Sequence, residues 1–238
     1  MNSALNCSIT LSTKTAPVTA CSNKLRIALF GSYYRGFHVL NEILDGPLHE
    51  KLHLVGVATD DPRSTFISRD KRVWQYPHTV VEATMVQDLA ERHNVPVFTG
   101  RVKTPEFYEI FEQEWRPDYC IMATFGQRID QRLYNYPAAG FFNLHPSDNA
   151  GWPSRYAGGN PFKHLIEDNA DSCVLTLHRV DDGFDTGERI AISERIYIPP
   201  GSSVTDMHKT SSPLAAPLVR SHLQQVLQSK PTPVAAAK

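Results

Sequence analysis

The first half of this chain alternates short apolar runs with segments of helical periodicity, and this alternation limits the fold more than any other feature. Apolar runs suited to buried strands occupy residues 25–30, 52–59, 95–98 and 119–123, with helical patterns between them. A strand, a helix and a second strand in this order form a parallel pair with a crossover. We therefore predict an α/β fold with a Rossmann-like, doubly wound and mostly parallel sheet.

Several helices have recognisable signals at their first residues. Thr79 and Glu82 have the spacing of a capping box and predict a helix through residue 93, with Val81, Met85 and Leu89 facing inward. The other predicted elements are a helix starting at Gly36, a helix from Thr104 to Trp115 with Phe107, Phe111 and Trp115 inward, strands at 173–179 and 189–198, and a helix at 205–227. The last three form a short C-terminal strand–helix extension.

The composition is typical of one globular domain with balanced charge. The chain has 238 residues, a net charge of −1 and no apolar run long enough to span a bilayer. We predict a folded domain at 24–228 between a disordered leader at 1–23 and a disordered tail at 229–238. Cys120 and Cys173 lie in apolar runs, which favours reduced core thiols. The expectation is a cytoplasmic protein without nucleic-acid or membrane partners.

An Asn-Leu-His tripeptide at the end of an apolar strand pattern is the main candidate for chemistry. Asn143 and His145 are two residues apart, so in a strand both side chains lie on one face. An amide can stabilise an oxyanion while an imidazole moves a proton, as acyl transfer requires. Asp185 follows in a glycine-flanked loop and can orient the imidazole. These residues predict an acyl-transfer site.

Three segments that are distant in sequence should meet at this site. Residues 31–32, 124–126 and 143–145 all follow predicted strands, and open α/β sheets bind their ligands at the carboxyl ends of strands. This convergence favours one site at one edge of the sheet.

Structural roles stay open for several of these residues. A single Asn or His at a strand end is most often a hydrogen-bonded structural group. Asp181 and Asp182 could be turn residues, with Gly183 supplying a positive φ. His178 lies on a strand pattern and is interpreted as structural.

The order of these segments resembles that of the folate-dependent formyltransferases. The segments are 123–127 (Ala-Thr-Phe-Gly-Gln), 143–147 (Asn-Leu-His-Pro-Ser) and 180–187 (Val-Asp-Asp-Gly-Phe-Asp-Thr-Gly). The resemblance covers residues 24 to 228 and implies a sheet of the formyltransferase type.

The resemblance also implies roles for individual residues. Asn143, His145 and Asp185 would be catalytic, 10-formyltetrahydrofolate would be the formyl donor and co-substrate, and no metal would be needed. The folate would lie against two loops, made of Met122, Ala123, Thr124, Phe125, Gly126 and Gln127, and of Val180, Asp181, Asp182, Gly183 and Phe184.

The segments 33–37, 60–62, 73–78 and 152–161 are most similar to those of the N5-hydroxyornithine formyltransferases of siderophore (pyoverdine-type) biosynthesis. This resemblance implies a small amine or hydroxylamine acceptor. Arg35 or Arg155 could bind its carboxylate by a bidentate contact, and Asp148 or Asp60 its ammonium group. The candidate acceptor-binding residues are Tyr33, Arg35, Tyr76, Ser147, Asp148, Trp152 and Arg155.

Other functions stay open beside this one. A sugar-nucleotide N-formyltransferase would use the same three residues but need space and stacking for a base. Bulky residues at 33–35 disfavour the phosphate of a glycinamide ribonucleotide. Balanced charge, with only about fifty residues after Asp185, disfavours tRNA. A folate-binding module without turnover would not need all three catalytic residues, and the oligomeric state is undetermined.

Overall fold

A computed structural model describes residues 23–60, 78–148 and 151–229. The strands are β1 (Leu25–Gly31), β2 (Leu52–Ala58), β3 (Val97–Phe98), β4 (Tyr119–Ala123), β5 (Gly140–Ser147), β6 (Ser172–Arg179), β7 (Arg189–Ile192) and β8 (Ile196–Tyr197). The helices are α1 (Tyr33–Asp45), α2 (Val80–Arg92), α3 (Pro105–Glu109), α4 (Gln131–Tyr134), α5 (Pro161–Glu167), α6 (Val204–Ser211) and α7 (Ala215–Ser229). Helix α3 continues as a π-helix at Ile110–Trp115, and 3-10 turns lie at His49–Lys51 and Ser212–Leu214.

The strands form a mostly parallel sheet, as predicted. Their order is β3-β2-β1-β4-β5-β6-β7, and β8 pairs with β6. The first five strands pair in parallel, whereas β6 is antiparallel to β5 and β7 is antiparallel to β6. The carboxyl ends of β1, β4 and β5 therefore lie at the same edge.

The sheet has a separate apolar core on each face. The core on what we call the α1 face combines side chains of α1, α2, α5, α6 and α7 with Ile27, Ile121 and Phe142 of the sheet. The core on the α3 face combines Phe30 and Phe141 of the sheet with Phe107, Phe111, Trp115, Val102 and Ile129. The predicted inward positions of Phe107, Phe111 and Trp115 are confirmed.

Helix α1 begins at Tyr33, three residues before the predicted start at Gly36. Gly36 has a packing role instead, because a Cβ there would lie 2.8 Å from the backbone of Gly31. The first turn of α1 therefore packs closely on the end of β1. This packing brings Arg35 to the carboxyl edge of the sheet.

The capping box before α2 is confirmed. Thr79 Oγ1 accepts from the Glu82 N–H at 3.2 Å, and Glu82 Oε2 accepts from the Thr79 N–H at 2.7 Å. The inward position of Val81 is wrong, since this residue is 73% exposed. The buried face of α2 consists of Ala83, Val86, Leu89 and Ala90. Because it includes two alanines, it is rotated around the helix relative to the predicted face.

The second half departs from the predicted elements in three places. The predicted strand at 189–198 is two strands, because Ser193 between them bonds to the Leu175 N–H at 2.9 Å and to the Glu194 carbonyl at 2.7 Å. The predicted helix at 205–227 breaks into α6 and α7 around Pro213, which has no backbone N–H to continue the first helix. Helices α4 and α5 are too short to give a periodic pattern.

Some predictions lie outside the described residues. They concern nearly all of the leader and tail, and Tyr76. The assignment of residues 24–228 to one domain stays a prediction. None of the helices in the described ranges has both the length and the apolar composition to cross a membrane.

Candidate active site

The predicted catalytic residues lie where β5 extends beyond its parallel neighbour. The pairing of β5 with β4 ends at Asn143, opposite Met122, and continues with β6, where Asn143 lies opposite His178. Leu144 packs into the core of the α1 face. Since side chains alternate along a strand, Asn143 and His145 share the other side.

Asp185 contacts both of these side chains. Its Oδ1 accepts a hydrogen bond from Asn143 Nδ2 at 2.9 Å, and its Oδ2 lies 3.2 Å from His145 Nδ1. The backbone N–H of Gly158 also donates to Oδ2, at 2.7 Å. The three side chains expected to act together are therefore in direct contact.

A second histidine, His178, completes this cluster. Its Nδ1 lies 2.8 Å from the Arg179 carbonyl oxygen, to which it donates. Its Nε2 lies 3.1 Å from Asn143 Nδ2 and 3.2 Å from Asp185 Oδ1. His178, interpreted from the sequence as structural, therefore contacts both Asn143 and Asp185. The signal that would have found it is the register of β6 against β5.

The surroundings of His145 and Asp185 determine where this cluster carries its protons. His145 Nε2 lies 2.9 Å from the Tyr156 carbonyl oxygen, so both ring nitrogens of His145 face acceptors. Burial lowers the pKa of His145, and the Asp185 carboxylate and the Tyr156 carbonyl oppose this. Burial alone would raise the pKa of Asp185, but its contacts with His178, His145 and the Gly158 N–H lower it. Both shifts favour an ionised Asp185 beside a neutral His145, and this pair can take up a proton and pass it on.

A strained loop holds Asp185 in place. Its φ of +52° is in the left-handed region, which is unusual for a residue other than glycine. Asp181 Oδ1 folds the loop by accepting from the Gly183 N–H at 3.1 Å and the Thr186 hydroxyl at 2.8 Å. Asp181 is therefore a turn residue. The expected positive φ at Gly183 is wrong, and a glycine is needed because a Cβ would lie 2.0 Å from Thr186 Oγ1.

A cavity of about 1110 Å³ lies over this cluster. Its wall includes the whole cluster, Arg35 among the predicted acceptor residues, and most of the predicted folate residues, namely Met122, Thr124, Phe125, Gly126, Gln127, Val180, Asp181, Gly183 and Phe184. Thr124, Asn160 and Asp185 on this wall all have positive φ. Such strain is concentrated at functional sites in many proteins.

The two predicted folate loops are joined to each other. Arg128 Nη2 donates to the Asp182 carbonyl at 2.5 Å, and the Arg128 guanidinium lies 4.7 Å from the ring centre of Phe184. Tyr134 donates to the Asp182 carboxylate. Asp182 and the buried Ala123 thus support the loops from outside the cavity wall.

Ser147 and Trp152, two predicted acceptor residues, lie outside the cavity wall. Ser147 Oγ bonds to Thr176 Oγ1 at 2.6 Å within the β5–β6 pair. Trp152 Nε1 donates to the Gly187 carbonyl at 2.7 Å. Both residues support the strands and loop that carry the cluster.

Three more predicted acceptor residues also lie away from the wall. The Tyr33 hydroxyl lies 3.1 Å from His78 Nε2. Arg155 has a 65% exposed side chain and pairs with Asp148 at 3.1 Å. Of the two arginines considered for the acceptor carboxylate, the structure brings Arg35 to the cavity.

The wall also contains residues that the sequence did not assign to the site. They are Arg101, Lys103, Arg128, Ile129, Leu144, Pro146, Gly158, Gly159, Asn160, Pro161, Lys163, His164, His178 and His208. Residues 158–161 belong to a segment noted for its resemblance to known enzymes. His208 comes from α6, and its local sequence has no signal that could have placed it here.

Within the described ranges, no group of three His, Cys, Asp or Glu side chains is placed to hold a metal ion. The cluster of His145, His178 and Asp185 is instead connected through the Asp185 carboxylate, which contacts both imidazoles. The absence of a metal requirement stays a prediction.

Comparison with known proteins identifies curated relatives over part of their length. The chain is 28% identical to the methionyl-tRNA formyltransferase of Syntrophomonas wolfei over 154 residues, covering 64% of this chain and 47% of that protein. It is 32% identical to the methionyl-tRNA formyltransferase of Bradyrhizobium diazoefficiens over 141 residues, covering 58% and 43%. The chain thus spans about half the length of the curated relatives it matches.

Solved structures share the fold at lower identity. Phosphoribosylglycinamide formyltransferase from Anaplasma phagocytophilum has a TM-score of 0.65 and 14% identity, covering 87% of this chain and 88% of that chain. Glycinamide ribonucleotide transformylase 1 from Geobacillus kaustophilus has a TM-score of 0.62 and 21% identity, covering 86% and 99%. A formyltetrahydrofolate deformylase from Pseudomonas syringae has a TM-score of 0.61 and 18% identity, covering 85% and 62%.

The family comparison covers the sheet, the cluster and both loops. The model of the formyl transferase family matches residues 25–216, which is most of the chain. The sheet described above is shared with the solved structures. This protein therefore belongs to the formyl transferase family.

Proposed function

We propose that this protein transfers a formyl group from 10-formyltetrahydrofolate to a nitrogen of a small acceptor. The observation that carries this proposal is the direct contact of Asn143, His145 and Asp185 on the wall of one cavity. Relatives named as formyltransferases support the transfer, and a structural neighbour named formyltetrahydrofolate deformylase supports the folate donor.

The proposed reaction uses each residue of the cluster. The acceptor nitrogen attacks the formyl carbon, a C–N bond forms, and the carbonyl electron pair moves to oxygen. Asn143 Nδ2 donates to this oxyanion, a contribution whose loss typically costs about 10²–10³ in rate. The proton lost by the acceptor passes through His145 and Asp185 to N10. The bond between the formyl carbon and N10 then breaks and releases tetrahydrofolate.

As the acceptor we propose N5-hydroxyornithine, whose hydroxylated side-chain nitrogen would receive the formyl group for a hydroxamate siderophore. The proposal is supported by the resemblance of 33–37 and 152–161 to the enzymes of that class. It is also supported by the position of Arg35 on the cavity wall.

The turn after β1 supports an acceptor without a phosphate. The Ser32 N–H donates to the Ala123 carbonyl at 3.3 Å, so it does not point to a ligand. The Ser32 hydroxyl bonds to Thr59 Oγ1 at 3.0 Å and accepts from the Asp60 N–H at 3.1 Å. The Asp60 carboxylate, 3.5 Å from Ser32 Oγ, would repel a phosphate. These contacts disfavour a glycinamide ribonucleotide acceptor.

The test is to incubate the purified protein with 10-formyltetrahydrofolate and one acceptor at a time, following tetrahydrofolate release and product mass. The acceptors are N5-hydroxy-L-ornithine, L-ornithine, an amino-sugar nucleotide, glycinamide ribonucleotide and methionyl-tRNA. A His145→Ala variant should lose turnover, whereas His93→Ala on the surface should keep it.

Each outcome selects one function. Turnover with hydroxyornithine alone supports the full proposal. Turnover with another acceptor supports formyl transfer and identifies that compound, instead of hydroxyornithine, as the acceptor. Folate binding without transfer to any acceptor would leave a folate-binding module and overturn the enzymatic proposal.

A further inference from the structure

Arg35 is a buried cation with a fixed direction on the cavity wall. It is 2% exposed and occupies the first turn of α1, which packs closely on β1. Its Nη1 donates to Thr124 Oγ1 at 3.2 Å, and its Nη2 donates to Ser211 Oγ at 3.3 Å. These bonds connect the guanidinium to the end of β4 and to α6. A guanidinium held in this way can recognise an anion by geometry as well as by charge.

Two ring side chains surround this guanidinium. The Arg35 Cζ lies 5.8 Å from the ring centre of Phe162 on α5. The same Phe162 ring meets the His208 ring edge to face, with centres 4.9 Å apart. His208 and Ser211 are three residues apart on α6 and therefore share a helix face. Arg35, Phe162 and His208 form one compact group, which we call the α1 wall.

His208 is a neutral polar group within the α1 wall. Burial, followed by the positive charge of Arg35, lowers the pKa of His208 well below its ordinary value. A neutral imidazole has one donor and one acceptor nitrogen. It can therefore accept from an ammonium group beside a guanidinium that binds a carboxylate.

The cavity wall carries more cationic than anionic side chains. Among the described residues on the wall, the fixed cations are Arg35, Arg101, Lys103, Arg128 and Lys163, and the carboxylates are Asp181 and Asp185. Both carboxylates bond to groups of their own loop or cluster. The cavity thus favours anionic ligands.

Arg101, Lys103 and Arg128 form a second group, which we call the α3 wall. They flank Val102 and Ile129, which belong to the core of the α3 face. Phe162 of the α1 wall and Met207, which precedes His208, belong to the core of the α1 face. The two cationic groups therefore lie on opposite sides of the sheet edge, with the Asn143 cluster on the wall that they share.

We propose that Arg35 and His208 form the recognition site for an amino-acid acceptor, with Arg35 binding its carboxylate and His208 its α-ammonium group. The proposal rests on the proposed formyl transfer, because it assigns the α1 wall to the acceptor and the α3 wall, with the two folate loops, to the donor. An amino acid with a nucleophilic side-chain nitrogen would extend from the α1 wall toward Asn143.

The test compares N5-hydroxy-L-ornithine with its carboxamide, which lacks the carboxylate charge. Formylation kinetics and calorimetric binding are measured for the protein and its Arg35→Gln, Ser211→Ala and His208→Gln variants. Arg195→Gln is the matched control, since Arg195 is an exposed arginine paired with Asp171 at 3.1 Å.

The protein should prefer the carboxylate over the carboxamide by at least about 10-fold, the effect of one hydrogen bond to a charged group. Arg35→Gln should remove this preference by raising KM for hydroxyornithine, with KM for the carboxamide and for 10-formyltetrahydrofolate unchanged. Ser211→Ala should reduce the preference by about 2–5-fold, because it removes one orienting bond of about 0.5–1 kcal/mol. It serves as the milder variant if Arg35→Gln does not fold. His208→Gln should raise KM for hydroxyornithine and for its carboxamide by the same factor, because both compounds carry the α-ammonium group.

The outcomes separate this proposal from the proposed function. Formylation of hydroxyornithine and its carboxamide with equal efficiency, or a preference that survives in Arg35→Gln and Ser211→Ala, would overturn the acceptor site and keep formyl transfer. Carboxylate-dependent binding without formylation would keep the site and overturn the proposed function. Neither formylation nor carboxylate-dependent binding would overturn both.

Discussion

The α1 wall and the α3 wall of the cavity are built in different ways. In the α3 wall, Arg101, Lys103 and Arg128 are exposed side chains on loops. In the α1 wall, Arg35 and His208 are buried, and hydrogen bonds or ring contacts fix their positions. Exposed cations attract an anion but hold it loosely, whereas a buried and oriented guanidinium selects by shape. The difference indicates that selectivity resides on the α1 side.

The largest effect should come from the cluster that both walls share. Asn143→Ala removes the amide that donates to the oxyanion, so kcat should fall by about 10²–10³. KM for the donor and for the acceptor should change little, because Asn143 belongs to neither the α1 wall nor the α3 wall, where the two substrates are proposed to bind. Steady-state kinetics with each substrate varied in turn measures both quantities.

The control for this change is Asn135→Ala, which alters an exposed asparagine at the end of α4. A large rise in either KM with an unchanged kcat would show that Asn143 binds a substrate and does not stabilise the transition state.

The second effect concerns stability, and it should arise on the α1 face. Burial and the charge of Arg179 lower the pKa of His222 to about 4. The unfolded chain, with an ordinary pKa near 6.5, therefore takes up this proton first as the pH falls. Between pH 7 and pH 5 the free energy of unfolding should fall by about 2 kcal/mol from this residue. The buried His208, whose pKa is also lowered, adds a loss of the same sign.

Denaturant unfolding at pH 7, 6 and 5 measures this loss. In His222→Gln the loss should be smaller, although this variant is less stable at pH 7 because the Tyr119 hydroxyl loses its 3.0 Å contact with His222 Nδ1. His93→Gln, at an exposed position, should keep the full loss. An identical pH dependence in the protein and in His222→Gln would contradict the assignment.

A third effect should separate the two substrates by the space that each needs. Gly159 lies on the cavity wall next to α5, and a Cβ there would meet no atom within 4 Å. Gly159→Val should therefore leave the fold intact and fill part of the acceptor space, raising the acceptor KM by about 10-fold. Gly151→Val is the matched control, since this glycine is equally open but lies away from the cavity wall. An equal rise in the donor KM would contradict the proposal that donor and acceptor bind at different walls.

The smallest effect is expected on the α3 wall. Arg128→Gln removes an exposed charge, so KM for 10-formyltetrahydrofolate should rise by only about 2–5-fold. Because exposed charges are screened, added salt should raise the donor KM more than the acceptor KM in the unmodified protein. Measuring both KM values at low and at high ionic strength tests this. If added salt raised the acceptor KM more than the donor KM, the α3 wall would bind the acceptor and the proposed assignment of the two walls would be wrong.

The sequence predicts the sheet and the cluster well because both depend on local patterns. Apolar strands alternate with helices, and a spacing of two residues places Asn143 and His145 on one side of a strand. The motif around Asp185 is also local. His178 required knowledge of which residue of β6 lies opposite Asn143. Strand register depends on pairing across a sequence separation of 35 residues, which a local pattern does not contain.

The acceptor side was predicted least well, for a related reason. Arg35 was considered, but the sequence offered no ground to prefer it over Arg155. The choice depends on a close approach of Gly36 to Gly31 and on a contact with Ser211, 176 residues away. His208 joins this group only through tertiary packing on Phe162.

The Asn143 amide has a consequence for when the site stabilises its ligand. Nδ2 donates to Asp185 Oδ1 at 2.9 Å, and His178 Nε2 lies on the same side of the amide, because Oδ1 and Nε2 are 3.2 Å apart. The two N–H bonds of an amide nitrogen diverge, so the second one is directed away from this pair and can donate to the formyl oxygen. A neutral carbonyl is a weak acceptor, whereas an oxyanion forms a short, charge-assisted bond. The second N–H therefore contributes most as charge develops on the formyl oxygen, so the amide accelerates the reaction with little effect on the binding of either substrate.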